Sequence, residues 1–439
     1  MVQVISRMSA TTTSLEIVSA KETRSSATWM SLFGLVLCLY GSMQIATLLT
    51  TPDRMLRDFV QEWTSARNWK VGRPVYEDMR KSIPFHIPKA RAGDLHFNAH
   101  PPVAVMTGLP FGSLGYFQSL RVWNIVSLAC VVVALLLLVG RQGFRLNRAE
   151  QLLVGGIVAS SSVLATQVVH GQLNGVLLLL LIAGWLASRH ERTILAGVCI
   201  GAATALKLFP GLLVLFFIAR RQWKGAIAAF VSCLLLNMLA GGILGVDAIR
   251  DYLLVVMPQA NRFSDTWPNA SLLGFLSRLL DGSFGQSTPL MHWPQVAKAT
   301  WLAISIFGVA LTWRVTARER SPQNHDLIFS AWVGLMLLVS PITWDHYFLL
   351  AVLPLVALWR HSSTTDLPSP KVFLVCATLL LVVLSPYTVW KFIVPGFAKF
   401  GMTLAVATPL RLMTVISFQF YTAAALFGFS LRRLDKESN

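Results

Sequence analysis

Charge is what this chain has least of. Only 13% of its 439 residues are Asp, Glu, Lys or Arg, against about 25% in soluble domains, and 54% are hydrophobic. With a mean hydropathy of +0.60, that balance excludes an ordinary soluble globular protein. Acidic residues are scarcer still, 20 against 37 basic, for a net charge of +17. The five cysteines, Cys38, Cys130, Cys199, Cys233 and Cys376, form no close pair and no cluster with histidine. That excludes a disulfide framework and a ligand-spaced zinc site. No Walker loop and no glycine-rich dinucleotide loop occurs, which argues against a soluble nucleotide donor. Neither a metal nor another cofactor is expected.

What the chain has instead is long apolar runs. They cover approximately 29–50, 119–140, 150–168, 174–189, 225–245, 296–316, 327–343, 346–360, 371–390 and 409–430. Runs near 20 residues indicate membrane-spanning helices, not barrel strands. The fold class is therefore all-α, a polytopic transmembrane bundle. The run 29–50 is too long for a signal-peptide core and lacks a small-residue cleavage site, so it reads as a retained first span. Segment 194–219 differs, with two apolar halves of about 13 residues around Lys207-Leu-Phe-Pro210. Each half rises only about 20 Å as a helix, short for a bilayer. A hairpin of short helices with Lys207 at its tip is expected.

Basic residues cluster in alternate short loops: Arg141/Arg145/Arg148, Arg189/Arg192, Arg220/Arg221/Lys224, Arg314/Arg318/Arg320, Arg360 with Lys371, and Arg432/Arg433/Lys436. This places them on the cytoplasmic side of a plasma membrane with both termini. It explains the basic excess through membrane lipids, without nucleic acid. The expected organisation is a cytoplasmic tail 1–28, one multi-span domain 29–430 with roughly ten full spans and an outer loop 51–118, and a basic cytoplasmic tail 431–439. The outer face then holds that loop, the turn His170-Gly-Gln172-Leu-Asn174, Lys207, the loop 246–295, Asp345-His346 and segment 391–408. Residues 103–117, broken by Gly and Pro, are expected along the interface.

The candidate chemistry lies on that face. Read as a helix, 51–63 puts Met55, Leu56, Phe59, Val60 and Trp63 on an apolar face and Arg54, Asp58 and Glu62 on a polar stripe. The bland explanation is a solvated stripe with a weak Arg54–Asp58 pair. The functional one makes Asp58 a base that takes a proton from an acceptor hydroxyl. One carboxylate suffices when the leaving group is a phosphate, whereas glycosidases use two. Lys207 either snorkels to the interface or meets an anionic lipid phosphate. In Ser340-Pro-Ile-Thr-Trp344-Asp345-His346-Tyr347, the Asp–His pair either satisfies a polar turn or holds the phosphate or acceptor. His100 and His170 carry weaker versions of this case and read as structural. Asn269-Ala-Ser271 fits a glycosylation sequon by chance and is expected to cap a helix Leu272–Leu280, with Arg278 near its end.

Together these segments resemble the GT-C membrane glycosyltransferases, specifically glycosyltransferase family 87. The resemblance rests on Asp58-Phe59, Gly72-Arg-Pro-Val-Tyr76, Pro101-Pro102, Gly171-Gln172-Leu-Asn174, Lys207-Leu-Phe-Pro210, Asn269-Ala-Ser271 and Ser340-Pro-Ile-Thr-Trp344-Asp345-His346, in family order over about 58–350. It implies inverting transfer of a hexose, mannose first, from a polyprenyl-phosphate sugar donor to a lipid or glycan acceptor at the outer face. It implies Asp58 as catalytic base and Lys207 and His346 at the donor phosphate. Glu62, His100, Gln172, Asn174, Asn269, Trp344 and Asp345 are then supporting or acceptor-binding residues. The chain departs from the pattern at His100, where the family usually has an aromatic residue, and at Tyr347, where a second histidine often follows. A transporter or flippase of a lipid-linked sugar, or an enzyme using a diphosphate-linked donor, are the rival readings. A single broken hairpin and no second matching half argue against the transporter.

Overall fold

A computed structural model describes residues 27–50, 56–88, 90, 96–283, 288–319, 321–362, 368–393 and 409–438, and no strand occurs among them. The first helix is α1 (Ala27–Thr50). A cap over the bundle follows as α2 (Val60–Lys70), α3 (Met79–His86) and α4 (Pro102–Gly108). Then come α5 (Tyr116–Val139), α6 (Arg148–Ala159), α7 (Ser162–His170), α8 (Asn174–Arg189), α9 (Thr193–Leu206), α10 (Val214–Ala219) and α11 (Trp223–Leu244). A second loop region carries α12 (Val246–Asp251), α13 (Met257–Gln259) and α14 (Leu272–Leu280). The chain ends with α15 (Pro294–Arg318), α16 (His325–Val339), α17 (Val352–Ser362), α18 (Pro368–Thr378), α19 (Pro386–Ile393), α20 (Pro409–Met413) and α21 (Phe418–Ser438). The expected inner tail thus continues a helix as far as Ser438. Arg54 and most of segment 391–408 lie outside the described residues.

This is an all-α polytopic membrane protein. Among the described residues five helices are long and apolar enough to cross a bilayer, and seven if each of two bent pairs counts once. Roughly ten spans are expected, and several of the apolar runs form shorter helices. Several runs are apolar because protein, not lipid, surrounds them. α16 has only 15 residues and is buried along almost its whole length, with Trp332 fully enclosed. By contrast α11 and α15 expose Phe230 and Phe307 and most of their outer faces, as lipid-covered helices do.

The run 150–168 is not one straight helix: α6 and α7 meet at a 47° bend. Ser161 caps α7 there, its hydroxyl accepting from the Leu164 N–H, which restarts the helix in a new direction. A 93° bend separates Pro370–Val383 from Pro386–Phe392, where a proline bars the preceding residue from helix. The chain therefore has more than the single break expected. The hairpin itself forms as anticipated, α9 ending at Leu206 and a 3-10 turn, Phe209–Leu213, leading into α10. Gly197 and Gly201 let α9 press onto α11, because a Cβ at either would lie 2.1–2.2 Å from a backbone carbonyl of that helix.

Of the segment 103–117, α4 and the 3-10 turn Leu109–Phe111 form no helix long enough to cross a bilayer, and Val103, Ala104 and Val105 are buried against protein. Nor does α2 float with one apolar side down: Gln61, Glu62, Thr64, Ser65 and Asn68 are buried as fully as Val60 and Trp63. The loop closes over it and satisfies most of these groups, the Thr64 hydroxyl alone among them finding no hydrogen-bond partner. Asn98 donates to the Gln61 carbonyl and the Ser65 hydroxyl, Gln61 accepts from the Ala99 N–H, and Asn68 donates to Ser82.

Candidate active site

Asp58 does not stand on the helix that periodicity suggests. It occupies the turn leading into α2, where the N–H groups of Val60 and Gln61 bond back to the Arg57 and Asp58 carbonyls. The Phe59 N–H donates to the carbonyl of His170 at 3.0 Å. This bond ties the loop to the end of α7 and faces Asp58 towards the turn 170–174. Asp58 and Glu62 consequently part company. Glu62, 3% exposed, pairs with His100 Nδ1, and the Tyr76 hydroxyl donates to the His100 carbonyl.

The turn 170–174 depends on Gly171. Its φ of +65° is left-handed, and a Cβ there would lie 2.7 Å from the Phe59 Cβ and 2.5 Å from Leu120 Cδ1. Its carbonyl also accepts from the Trp123 indole at 2.7 Å. Gly171→Ala is expected to cost about 1–3 kcal/mol from backbone strain, before any clash. Thermal unfolding in detergent measures it, and an unchanged midpoint would show that the turn can rearrange.

Gln172, next in the chain, connects the two charged groups. Its Nε2 donates to Asp58 Oδ2 at 2.6 Å, and its Oε1 accepts from Lys207 Nζ at 2.9 Å. The amide orientation is forced, because an ammonium only donates and a carboxylate only accepts. Lys207, 4% exposed, also donates to the Tyr347 hydroxyl at 3.1 Å and sits 4.2 Å from that ring's centroid.

Two histidines complete the cluster. His170 Nδ1 lies 3.1 Å from Asp58 Oδ2, and its ring stacks on His346 with centroids 5.9 Å apart. His346 Nδ1 lies 3.2 Å from Asp345. Burial alone would raise the Asp58 carboxyl, but the charge and contact of His170, with His346 and Gln172, hold it well below the usual carboxylate range. Asp58 is nevertheless open to a ligand, its side chain 30% exposed. Around it, His346 Nε2, Asp345 Oδ2 and Asn174 Oδ1 are buried without a hydrogen-bond partner. Orphaned polar atoms cost about 1–3 kcal/mol each, so three on neighbouring residues call for an explanation such as a bound ligand.

The structure thus gathers Asp58, Gln172, Asn174, Lys207, Asp345 and His346, with Asn174 donating to the His346 carbonyl at 3.4 Å. Two members carried little weight in the sequence. His170 read as structural, yet its Nδ1 lies 3.1 Å from Asp58 Oδ2, and its place directly before Gly171-Gln172 at the end of an apolar run was the available signal. Tyr347 read as a departure, yet it holds Lys207.

Other candidates lie apart. Asn269 is fully buried, donates to the carbonyls of Ser264 and Pro341, and accepts from the N–H groups of Ser271 and Thr343. Its amide is consumed in joining two loops. Ser271 caps α14 through the Gly274 N–H, and Arg278 is buried near that helix's end. Trp344 packs against Phe263. Among the described residues no three His, Cys, Asp or Glu side chains converge to hold an ion.

The chain as a whole is similar to known proteins. The family model of glycosyltransferase family 87 matches residues 98–341, more than half of the chain. The match takes in Gln172, Asn174, Lys207 and Asn269, and stops short of Asp58 and His346. An alpha-(1->3)-arabinofuranosyltransferase of Mycobacterium tuberculosis is 28% identical over 197 residues, 44% of this chain and 43% of that protein. A polyprenol-phosphate-mannose-dependent alpha-(1-2)-phosphatidylinositol mannoside mannosyltransferase of the same species is 26% identical over 315 residues, 68% of each chain. A corresponding pentamannoside mannosyltransferase of Mycolicibacterium smegmatis is 25% identical over 324 residues, 70% of this chain and 74% of that one. The chain spans less than half the length of the first of these relatives. On the extent of the family match, the chain belongs to glycosyltransferase family 87.

Proposed function

We propose that this protein is an inverting glycosyltransferase that moves a sugar from a polyprenyl-phosphate carrier to a lipid or glycan acceptor at the outer face of the membrane. The observation that carries the reading is the bridge Asp58–Gln172–Lys207. It sets one carboxylate and one buried cation a single amide apart, with room for a ligand at the carboxylate. Asp58 takes the proton of an acceptor hydroxyl as its oxygen attacks the anomeric carbon. The bond from that carbon to the phosphate oxygen breaks on the opposite face, and phosphate leaves with the electron pair. A monoester phosphate needs no proton to leave, so no second carboxyl is required. Lys207 and His346, whose Nε2 lacks a partner, meet the charge growing on the leaving oxygens. Such preorganised donors supply the largest single catalytic effect.

Charge also explains how a carboxylate held so acidic can serve as a base. Its low proton affinity comes from His170 and His346. A donor phosphate against Lys207 and His346 adds negative charge close by, which raises the proton affinity of Asp58 when the acceptor must be deprotonated. Donor binding therefore primes the base.

The sugar follows the relatives' names, which include mannosyl and arabinofuranosyl transfer; mannose is the first choice and arabinofuranose the second. A transporter reading gains from the further broken helices but leaves the fixed carboxylate without a use. The test incubates purified protein with a short-chain polyprenyl-phosphate mannose, or its arabinofuranose counterpart, and a pool of lipid acceptors. Mass spectrometry follows sugar lost from the carrier. Asp58-dependent loss with a glycosylated lipid product is expected. Donor binding without reaction, for every donor including diphosphate-linked ones, would transfer the case to a transporter.

A further inference from the structure

Tyr387 is an aromatic residue that the chemistry above leaves unused, and the 93° bend just before it decides where it stands. The chain enters the bend through a π-helical turn, Leu379–Val383, a deviation frequent at functional sites. That turn packs against α7, which ends at His170, and against the 3-10 turn Asp345–Ala351. The Ser162 hydroxyl, at the start of α7, donates to the Val382 carbonyl at 3.4 Å. Pro386 then opens α19, where proline suits the first helical position, and Tyr387 follows directly.

The Tyr387 ring is held from its other side as well. It meets Trp267 edge to face at 4.8 Å, and that indole meets Trp390 at 4.3 Å. The Trp267 loop is in turn tied to the site. The Ala270 N–H donates to the Thr343 carbonyl at 2.7 Å, and Asn269 Oδ1 accepts from the Thr343 N–H at 2.9 Å, two residues before Asp345. Tyr387 is thus anchored to the segments that deliver His170 and Asp345. It is half-buried, and among the described residues its hydroxyl makes no hydrogen bond, although a tyrosine so placed usually finds one. The charged groups in electrostatic reach of it are Asp345, Asp58 and Arg57.

The hydrogen-bonding capacity here is unbalanced. Asp58 and Asp345 only accept, Asp345 Oδ2 has no partner, and the phenol beside them keeps its proton at neutral pH. A ring bearing neighbouring hydroxyls serves both kinds of group, because each hydroxyl donates once and also accepts. Lys207 shares the field of Asp58 with Glu62, whereas Tyr387 shares it with Asp345 and Arg57. Lys207 meets the leaving phosphate, and inversion brings the acceptor in opposite to it. We propose that Tyr387 is a specificity-determining residue for a sugar-headed acceptor, its hydroxyl donating to the ring hydroxyl beside the one that Asp58 deprotonates. The proposal rests on the glycosyl-transfer reading for which substrate lies there.

The test pairs Tyr387→Phe with octyl α-mannoside as the acceptor probe and a short-chain polyprenyl-phosphate mannose as donor. Phenylalanine keeps the ring against Trp267, so the fold should survive without the hydroxyl. KM for octyl α-mannoside should rise about twofold to tenfold, the effect of one neutral hydrogen bond, while KM for the donor stays unchanged. Among monodeoxy analogues that keep the reacting hydroxyl, one should serve both proteins equally, because the partner of Tyr387 is then already missing. Tyr40→Phe, at a position 59% exposed on α1, should leave both KM values unchanged. A tyrosine with a structural role alone would raise both KM values together or weaken every analogue alike. Either result, or an unchanged acceptor KM, would overturn the proposal. Isothermal titration of octyl α-mannoside without donor repeats the comparison as a Kd, independent of turnover. Tighter binding by the wild type than by Tyr387→Phe, with no donor consumed, would leave the contact standing and remove the enzymatic reading. No binding by the wild type, or equal binding by both proteins, would overturn the contact itself.

Discussion

Asp58→Asn should turn over about 10²- to 10⁴-fold more slowly than the wild type, the range that a positioned general base contributes. Donor binding should change little, because asparagine keeps an oxygen able to accept from Gln172 Nε2. What it loses is the negative charge beside His170 and the capacity to take a proton. The measurement is kcat at saturating donor beside the donor Kd. A weakened Kd with normal kcat would remove the base assignment. The same substitution carries a stability signature whose sign follows from the depressed carboxyl. A carboxylate favoured in the folded state stabilises it above the unfolded value of about 3.9 and stops doing so as pH falls through the folded value. The midpoint difference between wild type and Asp58→Asn should hence shrink under strong acid, as pH falls below about 3.9.

Lys207→Met is the second large effect. Methionine fills similar space in a buried position, so the fold should survive while the cation is lost. The loss of one preorganised charge at the leaving group is worth about 10²–10³ in kcat, and donor affinity should fall as well. Because Gln172 faces Lys207 with its carbonyl oxygen and Asp58 with its amino group, removing the lysine also frees that amide to turn. Gln172→Met added to Lys207→Met should therefore cost less than it does in the wild type. Such non-additivity identifies residues that act as one unit. Strict additivity in kcat would mean that Gln172 does not transmit between them.

The membrane class, the hairpin and the cap of α14 were legible in the sequence because each follows from neighbours along the chain. Long apolar runs, a lysine followed by proline, and a serine before a helix act locally. The same local reasoning failed for Asp58. A period of three and four joined it to Glu62 on one stripe, but the helix starts only at Val60 and the two carboxylates take different partners. The turn is held by a bond from Phe59 to His170, 111 residues later in the chain. No window of sequence contains both.

Composition and run length determined by themselves that this chain is an all-α membrane protein, since the cost of unsatisfied backbone in lipid leaves few alternatives. They also marked the segments that carry Asp58, Gln172, Lys207 and His346. Which of those segments meet was decided by tertiary structure alone. So was the distinction between runs covered by lipid and runs covered by protein, as at α16, because apolar side chains serve either surrounding equally well. The partners of His170 and Tyr347 belong to the same category. A hydrogen bond requires two groups within about 3 Å, and the fold, not the spacing of residues, supplies the second.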